Sequence, residues 1–88
     1  MVEFKNVIDL FLPGLKAYEK RYGVRLGLMV NYSGERVWFT DGDMRPLHGP
    51  GGQPIVAMTK KEVQDNTYKF KWRGRVMKAV QAAWSKEA

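Results

Sequence analysis

The 88-residue chain carries 15 Lys and Arg against 9 Asp and Glu, for a net charge of +6, and contains no cysteine. That length suits one domain, residues 1–88, and argues against a second core, while the lack of cysteine excludes disulfides and thiolate metal sites. A 44% hydrophobic content with three Trp, four Tyr and four Phe argues against disorder throughout. No apolar run reaches the roughly 18 residues of a membrane span, and residues 1–15 lack the basic start and cleavage site of a signal peptide. The expectation is therefore a reducing, cytoplasmic setting with no membrane partner.

Phe4, Ile8, Phe11, Leu15, Tyr18 and Tyr22 recur at alternating spacings of four and three, the signature of one helix face, with Lys5, Asp9, Lys16, Glu19 and Lys20 elsewhere around it. Pro13-Gly14 interrupts this stripe. Because proline removes one backbone donor and clashes with the preceding turn, a kink or a break is expected there, with a second helix able to open at Pro13. Gly23 supplies the stop.

From Val24 to Asn31, Val24, Leu26, Leu28 and Val30 alternate with Arg25, Gly27, Met29 and Asn31, the period of a strand with one buried face. Tyr32-Ser33-Gly34 reads as a turn and Glu35 to Thr40 as the return strand, so a β-hairpin is expected between 24 and 40. Asp41-Gly42-Asp43 ends it with turn chemistry. Met44 to Pro54, rich in Pro and Gly, is expected as an exposed loop, and Pro54 to Met58 as a short edge strand. Thr59 and Glu62 form a capping box that opens a helix.

The final segment supports two periods. Read in twos, Tyr68, Phe70 and Trp72 oppose Lys69, Lys71 and Arg73 as on a strand; read in fours, Tyr68, Trp72, Val76, Val80 and Trp84 line a helix. Gly74 sits at the boundary between these readings, and a C-terminal helix over Arg75 to Lys86 follows from either. The expected fold class is thus α+β: N-terminal helix, β-hairpin, loop, and a C-terminal helix packed on a small antiparallel or mixed sheet.

Charge is distributed unevenly. Residues 1–58 hold seven cationic and six acidic side chains, whereas residues 59–88 hold eight and three, a net of +5. Lys69, Lys71, Trp72, Arg73, Arg75 and Lys78 therefore form the candidate nucleic-acid-binding set, because cations displace the counterions condensed on phosphates and aromatic faces can stack on unpaired bases. The same pattern also builds a half-buried element with its aromatics inward and its cations solvated, in which case only phosphate contacts remain.

Catalytic signals are weak by comparison. His48 has no second His or Cys to share a metal, and Ser33 or Ser85 with Asp41 or Asp43 makes no recognisable triad motif. The glycines of the 49–52 stretch lack the Gly-Lys-Ser/Thr of a phosphate-cradling loop, and Asp41 and Asp43 fit a hairpin end better than a metal site. No catalytic residue, metal ligand or cofactor is assigned.

Val2-Glu3-Phe4-Lys5, a helix ending in Ala17-Tyr18, and Tyr22 to Tyr32 together resemble the second half of PD-(D/E)XK nuclease-like domains. The resemblance, over residues 2–32, implies a strand bearing Glu-x-Lys, then a helix and another core strand. It would make Glu3 the metal-binding acid and Lys5 the catalytic lysine, with Mg²⁺ activating a water for phosphodiester hydrolysis. That family's further acid on an earlier strand has no counterpart before Glu3, so the implied protein is a fragment, a degenerate relative or a half-site completed by another chain.

Three functions are carried forward. The preferred one is non-enzymatic binding of DNA or RNA through the C-terminal cations. The alternative is a protein-interaction, accessory or inhibitor module that docks on an acidic protein surface or forms a homodimer through the N-terminal helix. The third is the metal-dependent nuclease relative.

Overall fold

The computed structural model describes residues 3–87, which leaves Val2 of the nuclease resemblance outside the described residues. The chain is an α+β arrangement of α1 (Phe4–Tyr22), β1 (Gly27–Val30), β2 (Arg36–Thr40), β3 (Val56–Thr59), α2 (Lys60–Gln64) and α3 (Trp72–Glu87). The three strands form one antiparallel sheet in the order β1-β2-β3.

Helix α1 runs unbroken through Pro13, so the expected break into two helices does not occur. Its apolar stripe explains the continuity: Val7 and Leu15 are buried on either side of the proline, and Phe4, Ile8, Phe11, Leu12, Tyr18 and Tyr22 pack against the same core. Burial of one face outweighs a single missing backbone hydrogen bond. Gly23, at φ 67°, closes the helix in the left-handed conformation and donates its N–H to the Glu19 carbonyl.

The hairpin forms within the expected residues, but β1 is shorter than the expected 24–31 strand: Val24 and Leu26 are buried ahead of it, and Val30 is exposed instead of sharing their face. Leu28 faces Phe39 and Met29 faces Trp38 across β1 and β2, with Asn31 Oδ1 accepting the backbone N–H groups of Glu35 and Arg36 at the turn. Gly27 is required by a close approach, because a Cβ there would come within 2.5 Å of Thr40 Oγ1. Between β2 and β3 a bulge leaves Ala57 unmatched, as Val37 pairs with Met58 and Trp38 with Val56.

The Pro/Gly-rich stretch is more ordered than the exposed loop expected from its composition. Leu47 donates to the Phe39 carbonyl and accepts from Ile55 N–H, Gly49 donates to the Gln53 carbonyl, and Gly52 closes a tight turn onto Gly49. Leu47 and Ile55 are buried, so the stretch is a small hairpin-like flap rooted in the core, with its Pro50-Gly51-Gly52 tip in solvent.

Period four prevails at the C-terminus. Tyr68 to Lys71 form turns, α3 starts at Trp72, and Gly74 lies within the helix instead of marking its boundary. Tyr68 and Trp72 are buried with Val76, Ala79, Val80 and Ala83, whereas Phe70 is 83% exposed. The three aromatics that a strand would align are therefore split. Trp72 stacks on Phe11 of α1 at a centroid distance of 4.4 Å and lies 5.4 Å from Phe39 of β2. This sandwich joins both long helices to one face of the sheet.

Candidate nucleic-acid interface

The six candidate residues lie on the turn before α3 and on its first two turns, and the fold gives them different surroundings. Lys69, Lys71, Arg73 and Lys78 are exposed and form no salt bridge among the described residues. The Lys69 ammonium lies 5.8 Å from the centroid of the Tyr68 ring.

Arg75 is committed elsewhere. Its guanidinium grips both carboxylate oxygens of Glu62, at 2.7 and 3.0 Å, and also donates to the Ala57 carbonyl. That contact lowers the Glu62 pKa, chiefly through the Arg75 hydrogen bond. Trp72 is only 8% exposed and has Phe11 on one face, so in the folded chain its ring belongs to the core. Phe70, outside the original set, is the aromatic of this segment that reaches solvent.

Helical geometry decides which cations converge. Arg75 N–H donates to the Lys71 carbonyl, which brings Lys71 into helical register with the first turn of α3. Lys71, Arg75 and Lys78 then stand four and three residues apart, along one side of the helix, with Ala82 and Ser85 continuing the row. Arg73 is turned well away from that side, two residues after Lys71 and five before Lys78.

From Arg75 onward this row borders a cleft of about 800 Å³ between α3 and the flap, which Lys71 does not line. The helical wall presents Arg75, Lys78, Gln81 and Ser85; the facing wall is made by His48, Pro50, Pro54 and Ile55. No acidic side chain lines it among the described residues. His48, Gln81 and Ser85 were not singled out for binding in the sequence, although Ser85 continues the four-three spacing of Lys71, Arg75 and Lys78. The flap wall is invisible to such spacing, because residues 48–54 meet α3 only after folding.

The structure places His48 and Ser85 at the same cleft but sends Asp41 and Asp43 to a separate recess beside Arg25 and Lys86. Asp41 organises its own turn by accepting the Asp43 and Arg45 N–H groups, and it pairs with Lys86. Its carboxyl is held well below the usual range, first by the Lys86 contact and then by the Arg45 N–H. Among the described residues no three metal-ligating side chains gather. Glu3 is the extended residue ahead of α1 and Lys5 lies in the first turn of that helix.

The regular stripe of α1, which motivated a helix-paired dimer, packs on the chain's own core. No described helix is long and apolar enough to cross a membrane. No family model, curated protein or solved structure matches the chain.

Proposed function

We propose that the chain is a non-enzymatic nucleic-acid-binding domain whose contact surface is the cation-bearing side of α3 and the turn before it. The observation that carries this reading is the set Lys69, Lys71, Arg73 and Lys78, exposed and without a carboxylate partner among the described residues. Unneutralised cations on a domain of net charge +6 attract a polyanion and gain free energy by releasing its counterions. Lys71 and Lys78 share one side of the helix, whereas Arg75 between them is paired with Glu62 and adds no net charge. Lys69 and Arg73 add unpaired positive charge on other sides of the same segment, and Phe70 is an exposed ring of the turn before α3.

The test is a gel shift at low salt with mixed-sequence DNA and RNA. Replacing Lys69, Lys71, Arg73 and Lys78 together by Ala is expected to abolish the shift while circular dichroism stays unchanged, since none of the four is buried. An unaltered shift would refute the assignment.

A further inference from the structure

The cleft beside Lys78 has a chemistry that the exposed cations alone do not explain. One wall carries the Lys78 cation with the hydrogen-bonding Gln81 and Ser85, beside an Arg75 already paired with Glu62; the other offers the apolar surfaces of Pro50 and Pro54 next to the polar side chains of His48 and Gln53. A phosphate needs only the first. An apolar slot facing amide and hydroxyl groups suits a flat ring whose faces are apolar and whose edges carry donors and acceptors.

Resting on the nucleic-acid reading above, we infer that the cleft takes an unpaired nucleotide, so that the domain prefers single strands to duplex. In a duplex the bases are stacked and paired, and only phosphates reach a protein wall of this kind. In a single strand the base is free to turn into the slot. Lys78 holds the phosphate, the base lies against Pro50 and Pro54, and its edge meets Gln81 and Ser85. The cleft is a half-open groove, and its volume of about 800 Å³ leaves room for a group of small-molecule size.

The flap can serve as a wall because it is anchored. Leu47 and Ile55 are buried, and their backbone hydrogen bonds to each other and to Phe39 tie the flap to β2. Arg75 is fixed by Glu62 and Ala57, so the helical wall is preorganised as well, with Lys78 as its unpaired cation.

The experiment is fluorescence anisotropy at low salt with labelled oligo-dT and oligo-U, beside a duplex of equal length. The chain is compared with Ser85→Trp, which fills the cleft from an exposed helix position, with Gln81→Ala, and with the off-cleft double variant Lys69→Ala/Arg73→Ala. Thermal melts confirm that each variant folds. The expected result is single strands bound about tenfold tighter than duplex, with that preference lost in Ser85→Trp, weakened in Gln81→Ala and kept in the off-cleft variant. Equal affinity for duplex and single strand, or a preference that survives Ser85→Trp, would overturn the inference while leaving nucleic-acid binding intact. No binding of any of the three probes would overturn both.

Discussion

Arg75 reaches across 13 positions to hold both oxygens of Glu62, while Glu62 Oε1 also accepts the Thr59 N–H. One carboxylate thereby caps α2 and fastens it to α3, and the same contact withdraws one cation from the α3 surface. Arg75→Ala is expected to cost about 1–2 kcal/mol, because it removes charge-assisted hydrogen bonds from a pair that keeps some solvent contact. Chemical denaturation of the two proteins measures it.

The same pair sets a pH dependence. The folded-state pKa of Glu62 is lowered, first by Arg75 and further by the Thr59 N–H. Its stabilisation is therefore complete above the ordinary glutamate range, about 4.3, and disappears as the pH falls through the lowered folded value. The stability gap between the chain and Arg75→Ala should be constant near neutrality and close in acid. A gap that widens on acidification contradicts this.

Thr59→Ala removes the hydroxyl that accepts the Glu62 N–H at 3.1 Å. The expected loss is about 1 kcal/mol, as for other N-cap threonines. Thr59→Ser, which keeps the acceptor, should restore most of it in the same denaturation assay.

Trp72 and Phe70 lie two residues apart and should behave oppositely. Trp72→Ala empties the space between Phe11 and Phe39 and is expected to cost about 3–5 kcal/mol, enough to threaten folding of a chain this small. Phe70→Ala should change stability by less than about 0.5 kcal/mol. Melting temperatures separate the two.

Pro13 is exposed on a continuous helix and leaves the helix one donor short. Pro13→Ala restores an N–H in range of the Asp9 carbonyl, and the helix-interior penalty of proline exceeds the loss of its stiffening of the unfolded chain. A gain of about 1–2 kcal/mol is expected. A lower melting temperature would show that the proline fits its site without strain.

Lys78→Ala should flatten the dependence of log affinity on log salt by about 0.7 for single strands. Arg75→Ala should alter stability more than this slope, since its guanidinium is already paired. Titrations at three or more salt concentrations distinguish them.

Elements governed by neighbours in sequence were legible before folding. The stripe of α1, its glycine stop, the β1-β2 hairpin and the Thr59-Glu62 capping box each depend on side chains within a few residues of one another, so spacing and turn chemistry suffice. Other features depend on contacts made at a distance. Composition marks residues 44–54 as loop, but burial of Leu47 and hydrogen bonds to β2 turn part of them into a wall; Pro13 predicts a break, but packing on both sides carries the helix through. Period two and period four compete equally between Tyr68 and Trp72 until Phe11 and Phe39 enclose the tryptophan and settle the helix. The binding surface follows the same division. An excess of cations near the C-terminus can be counted along the chain, whereas which of them remain unpaired, and which face the flap, depends on Glu62, Ala57 and His48, brought to α3 from elsewhere in the sequence by the collapse of the core.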